Sequence, residues 1–384
     1  MLNRISRKAF QIKRTLERAV IDKASVSIIF YLRMLSRLLK RPPITRKNIN
    51  HLKIFYSQNK SSVISHVPAI FNVHIASGCN LRCPNCVYLL KDSEVFGTAG
   101  MMSTEMFESI IKKYYQHIEV VFLSGGEPLG HPKFQHLVDI VHKYNKNIII
   151  NTSTNGVFLE KKIETVKQLS SINLSLDSYD YYTFKKYRGG TPKEFDKIIR
   201  GMALMKENSI RFQTSFLLSE ENISEAEKMV EFAAKTGSSR VIFHNINTRG
   251  SDKFTVLMCN SQKVTSWIEQ FTARTDYQID IELPVIFDPD SRSIDTYSCS
   301  QPWTYFIFND KGHVAYCCHL APDESIGNVL EGYDFNSEKM VEMRRSMLDH
   351  TYKKSDCQYC QRRFLGLSYG YFSASYGKWV INTN

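Results

Sequence analysis

His74-Ile-Ala-Ser-Gly-Cys79-Asn-Leu-Arg-Cys83-Pro-Asn-Cys86 follows directly on a run rich in β-branched and aromatic residues, and it sets three thiols on one loop within eight residues. The run reads as a strand, so the three thiols lie on the loop at its C-terminal end. In a reducing compartment, clustered cysteines bind metal or do chemistry more often than they form disulfides. A four-iron cluster takes four ligands, so three cysteines leave one iron open to a further group. A zinc site completed by His74 or by a distant ligand is the other reading of the same loop.

Outward from the loop, strand signals recur at residues 71–76, 119–123, 147–154, 171–176, 210–218 and 240–246. Helical spacing fills the gaps at 104–117, 132–144, 159–169, 193–208 and 223–235. Repeated βα units predict a parallel sheet. Six strands are too few for a closed eight-stranded barrel, so the expected fold class is α/β with a partial (β/α)6 barrel. Further on, residues 303–308, the turn Asn309-Asp310-Lys311-Gly312 and residues 313–316 predict a β-hairpin, with glycine where positive φ is needed.

The ends of the predicted strands carry polar segments. Ser124-Gly125-Gly126-Glu127-Pro128 closes the second, Thr152-Ser153-Thr154-Asn155-Gly156 the third, and Ser175-Leu176-Asp177 the fourth. Alone, each reads as a turn or a loop cap. In this order behind C-x-x-x-C-x-x-C, they resemble the radical S-adenosylmethionine (SAM) enzyme superfamily over roughly residues 70–250. The resemblance implies a [4Fe–4S] cluster on Cys79, Cys83 and Cys86 whose open iron binds SAM. It implies SAM contacts at Gly125, Gly126, Glu127, Pro128, Asn155, Ser175 and Asp177. It further implies reductive cleavage of SAM to a 5′-deoxyadenosyl radical that abstracts substrate hydrogen, with a reductant such as flavodoxin or ferredoxin; the cofactor carries the hard step. Asn85 stands where the family often has an aromatic residue, with Tyr88 the nearby substitute. No acid, base or hydrogen donor is assigned, although His74, His131 and His244 fall near strand ends.

Cys299, Cys317, Cys357 and Cys360 form a second group, the last two as C-x-x-C. Four thiolates suit either zinc or an iron–sulfur cluster. In this context the arrangement resembles the SPASM/twitch domain, which implies an auxiliary [4Fe–4S] cluster suited to taking an electron from a substrate radical. Cys318 is the alternative to Cys317, and Cys259 reads as a buried small apolar residue. The expected enzyme is of oxidoreductase type, acting by dehydrogenation or a related modification on a natural-product, sugar or lipid-linked substrate. The alternatives are peptide maturation or epimerisation and, more remotely, a zinc-stabilised binding protein without activity.

The chain has 384 residues, 43% hydrophobic and 23% charged, enough for a packed core in more than one domain. Residues 1–47 hold 13 Lys or Arg against Glu17 and Asp22, so nearly all of the net charge of +12 belongs to an N-terminal arm. Three segments are expected: a basic helical arm at 1–66, the partial barrel at 67–285, and the SPASM/twitch-like domain at 286–384. No apolar stretch is long enough to span a membrane, and no secretory signal fits, so a cytoplasmic protein is expected. The arm suits peripheral contact with anionic lipid at the inner membrane surface, or a solvated helical hairpin packed on the barrel. The near-neutral body argues against a nucleic-acid partner.

Overall fold

The computed structural model describes residues 61–86, 100–246, 254–274, 276–284, 286, 301–317, 325–349, 351 and 380–381. The arm up to residue 60, Tyr88, Cys299, Cys318, Cys357 and Cys360 lie outside the described residues.

β1 (Ile70–Ala76) is buried at all seven positions, as a strand must be when both its faces and both its edges are covered. One edge pairs in parallel with β2 (Val120–Gly125) and the other with β8 (Tyr305–Asn309). Between β1 and β2 runs α1 (Thr104–Tyr114), started by a Ser103 hydroxyl that accepts the Met106 N–H. The alternation continues through α2 (Phe134–Tyr144), β3 (Ile149–Thr154), α3 (Leu159–Val166) and β4 (Ser171–Ser175). Two helices then follow, α4 (Tyr181–Arg188) and α5 (Pro192–Glu207), each opened by a capping box, Asp180 with Thr183 and Thr191 with Glu194. β5 (Gln213–Leu218), α6 (Ala226–Lys235), β6 (Arg240–Asn245), α7 (Gln262–Ala273) and β7 (Asp280–Glu282) complete the series.

Among the described residues the sheet has ten strands in the order β10-β7-β6-β5-β4-β3-β2-β1-β8-β9, with β9 at Val314–Ala315 and β10 at Val380–Ile381. From β7 to β8 every pairing is parallel; β9 and β10 are antiparallel edges. The six predicted strands form as β1 to β6, and the sheet continues past them on both sides. β7, an Asp-Ile-Glu tripeptide, is too short to show a period in sequence. The predicted hairpin forms as β8 and β9, with Gly312 at φ +84°, but Trp303 belongs to the helical turn α8 (Gln301–Thr304). This hairpin, expected in the C-terminal domain, extends the barrel sheet itself.

One sheet face packs on the helices through Val73, Ile75, Val121, Leu123, Ile150 and Leu174, against Phe107, Phe134, Leu137 and Met202. Each such side chain fully withdrawn from water contributes about 1.5–3 kcal/mol. α9 (Glu338–Leu348), the last helix among the described residues, buries Arg344, whose guanidinium donates to the carbonyls of Pro302 and Ser62. Among the described residues no helix is long and apolar enough to cross a membrane.

Candidate active site

The opposite sheet face is polar. Register sets His74 beside Ser124, Ser153 beside Asn173, and Ser175 beside Ser215. Ser124 donates to Asn72, while the Asn173 amide donates to the hydroxyls of Ser153 and Ser215, each at 3.1 Å. Ser175 meets Ser153 at 3.2 Å, so this predicted SAM contact sits inside a ladder of amides and hydroxyls crossing three strands. Ser124, Ser153 and Ser175 fall in the polar strand-end segments singled out in the sequence; the roles of Asn72, Asn173 and Ser215 went unread, although polar residues at alternate positions of β3 to β5 are their signal.

At the C-terminal end of β1 the pairing slips between His74 and Ala76, a bulge that re-aims the chain into the cysteine loop. The Gly126 N–H donates to the Ala76 carbonyl at 2.6 Å and the Glu127 N–H to the Gly78 carbonyl at 3.0 Å. A Cβ on Gly125, at φ +123°, would lie 2.1 Å from the Ala76 oxygen, and one on Gly126 would lie 2.3 Å from the Gly78 oxygen. The two glycines are therefore where one backbone presses on another.

Glu127 is buried and fully engaged. Its Oε1 accepts the Thr154 hydroxyl at 2.6 Å and the Leu129 N–H at 3.0 Å, and its Oε2 accepts the Asn155 N–H at 2.7 Å. Burial pushes this carboxyl up to about 7 despite those donors. Pro128 opens the 3-10 turn Pro128–Gly130 that follows. The Asn155 amide donates to Asn80 Oδ1 at 2.9 Å and to Cys79 Sγ at 3.6 Å.

The three cysteines of the loop are partly exposed. Cys79 Sγ also accepts the Leu81 N–H at 3.4 Å, and Cys83 Sγ accepts from Arg188 Nη1 at 3.5 Å. Burial pushes the Cys79 thiol up to about 11, and the charges of Glu127, Cys83 and Cys86 add to the rise. Three thiols on one loop are the donors that an iron–sulfur cluster takes, and the donor set fits such a group. Among the described residues no three His, Cys, Asp or Glu side chains converge as ligands of one metal ion do.

Asp177 stands at φ +51° and is buried, with Oδ1 accepting the Leu217 N–H at 2.6 Å and Oδ2 lying 3.1 Å from Arg188 Nε. Both oxygens of this predicted contact face protein partners. Arg188 was missed by the sequence reading; its only local signal is a basic residue ahead of Gly189-Gly190. His131 is a brace: its Nδ1 accepts the Lys133 N–H at 3.2 Å, so Nε2 carries the proton given to the Met102 carbonyl at 3.0 Å. His74 lies on the polar face, and burial lowers it to about 4, keeping it neutral. Of the second cysteine group only Cys317 is described; it packs against Ile70, Val120, Tyr305, Ile307 and Ala315.

Comparison with known proteins assigns this architecture. Residues 73–233 match the Radical SAM superfamily profile, whose members use a [4Fe–4S] cluster and SAM. A probable GTP 3′,8-cyclase of Methanosarcina mazei is 31% identical over 166 residues, 42% of this chain and 49% of that protein. The subtilosin biosynthesis protein AlbA of Bacillus subtilis is 22% identical over 267 residues, 67% of this chain and 57% of that one. The matched part of the chain thus spans about half the length of these curated relatives. Among solved structures, Streptococcus suis SuiB bound to S-adenosylmethionine superposes with a TM-score of 0.59 at 15% identity, covering 87% of this chain and 80% of SuiB. SuiB bound to its precursor peptide SuiA gives 0.61 at 14% identity, covering 92% and 83%. These two likenesses are of fold.

Proposed function

We propose that the radical SAM domain of residues 73–233 holds a [4Fe–4S] cluster on Cys79, Cys83 and Cys86 and abstracts hydrogen from a substrate bound over the polar sheet face. The observation that carries this reading is the convergence of the cysteine loop with the ends of β2 and β3, through Gly126 on Ala76, Glu127 on Gly78 and Asn155 on Cys79. When bound, the cluster and SAM supply a 5′-deoxyadenosyl radical. The chain's own residues do the rest. Gly125 and Gly126 let β2 close on the loop, Glu127 and Asn155 fix the end of β3 beside Cys79, and the amide ladder offers hydrogen bonds to a polar ligand.

The finer reaction proposed is dehydrogenation. The substrate gives one hydrogen atom to the radical, then one proton to base and one electron to an auxiliary [4Fe–4S] cluster on Cys299, Cys317, Cys357 and Cys360. Natural-product, sugar and lipid-linked substrates suit such a step. Peptide modification is the second reading, favoured by AlbA's role in bacteriocin biosynthesis and by the precursor peptide in the SuiB complex. A flavodoxin or ferredoxin reductant, a cytoplasmic location and peripheral membrane contact through the basic arm complete the proposal.

Iron, acid-labile sulfide and 5′-deoxyadenosine release under dithionite test it, on wild type and on a Cys79/Cys83/Cys86 triple-alanine variant. About eight irons falling to about four, with deoxyadenosine lost, is expected for two four-iron clusters. SAM cleavage surviving in the variant, or zinc in place of iron, overturns the assignment.

A further inference from the structure

The end of α4 is built onto the cysteine loop. Gly189, at φ +65°, lies so close that a Cβ would sit 2.5 Å from the Arg82 carbonyl oxygen, and a Cβ on Gly190 would strike the Phe184 ring. Between these contacts and the loop lies Arg188, its side chain only 13% exposed. Nη1 donates to Cys83 Sγ at 3.5 Å. Nε faces Asp177 Oδ2 at 3.1 Å in an orientation unsuited to a hydrogen bond, so that contact is Coulombic. Asp177 is itself fixed by the Leu217 N–H.

We infer that Arg188 sets the reduction potential of the cluster ligated by Cys83, with Asp177 holding the guanidinium in place; the inference rests on the proposed function above. Reduction adds one electron to the cluster and its thiolates. An N–H donor and a positive charge at a ligating sulfur stabilise that added charge and raise the potential. Arg188 is thus a positioning residue that acts through Cys83. A purely structural brace between α4 and the loop would leave the potential unmoved.

The test is an EPR-monitored redox titration of the reconstituted full chain without SAM, so that altered SAM binding cannot imitate the effect. The triple-alanine variant supplies the auxiliary signal for subtraction. Loss of a charge-assisted hydrogen bond predicts that Arg188→Gln lowers the reduced-to-oxidised ratio at a fixed potential about tenfold, a downward shift of about 59 mV for one electron. Arg188→Lys, which keeps the charge, is expected between the two. In wild type carrying isotopically labelled arginine, pulsed EPR of the reduced cluster is expected to show a guanidinium nitrogen coupling that vanishes in Arg188→Lys. This second measurement decides the matter if Arg188→Gln takes up no iron. Unchanged midpoints, or no such coupling, overturn the role of Arg188 alone. Wild type that binds no iron overturns the underlying cluster reading.

Discussion

The backbone N–H of Asn155 donates to Glu127 Oε2 across 2.7 Å, joining the end of β3 to the end of β2. A buried carboxylate with three donors is a tie whose strength depends on its proton, because water cannot screen it.

That dependence has a sign. The Glu127 carboxyl is raised from 4.5 to about 7 in the folded chain, so the stability it contributes is complete below about 4.5 and is lost as pH rises through about 7. His74 runs the other way: burial lowers it from 6.5 to about 4, so its contribution is present above 6.5 and is lost as pH falls towards 4. Urea midpoints compared across this range should favour Glu127→Gln over wild type increasingly as pH rises. They should favour wild type over His74→Gln increasingly over the same rise. Differences that stay flat with pH would refute both statements.

Two neighbouring glycines are expected to differ sharply. A Cβ on Gly126 meets the Gly78 carbonyl at 2.3 Å, whereas a Cβ on Gly78 meets nothing within 4 Å. Gly126→Ala should cost about 1–3 kcal/mol and reduce iron uptake, while Gly78→Ala should stay within about 0.5 kcal/mol of wild type. Denaturant unfolding with iron analysis reads both, and equal effects would contradict the close approach.

Asn155→Ala removes the donor to Asn80 and Cys79 and the acceptor of the Val157 N–H. The expected loss is about 1–3 kcal/mol of stability, from polar groups left unpaired. Calorimetry on the reconstituted protein should also find weaker SAM binding; wild-type affinity would separate this amide from the site.

Phe306 of β8 packs on Phe71 of β1 at 5.2 Å between ring centroids and on Phe335 at 4.9 Å. Phe306→Ala should cost about 3–5 kcal/mol. Hydrogen exchange should then speed up together in β1 and β8; acceleration confined to β8 would mean that the hairpin opens by itself.

The cysteine loop and the Gly-Gly-Glu-Pro segment stand out in the sequence because their signal lies in local spacing. β1 to β6 were legible because each is a short run rich in β-branched and aromatic residues set between stretches of helical spacing. The partnership of Arg188 with Cys83 was not, since 105 residues separate them and nothing in either neighbourhood marks the other. The addition of β8 to the free edge of β1 was hidden for the same reason: a ladder of backbone hydrogen bonds leaves no pattern in side chains. His131 illustrates the converse, a residue of catalytic type near a strand end that is occupied as a backbone brace.

β8 lies along β1, and just beyond it Ser77 donates to the Asp310 carboxylate, two residues before Cys79. Cutting the chain after residue 286 therefore strips the partner from the most deeply buried strand and turns its amides and carbonyls into an open edge. Such an edge recruits strands from other molecules. A shortened form meant to isolate the cysteine loop is expected to self-associate, which makes the tail a guard against aggregation as much as a carrier of cysteines.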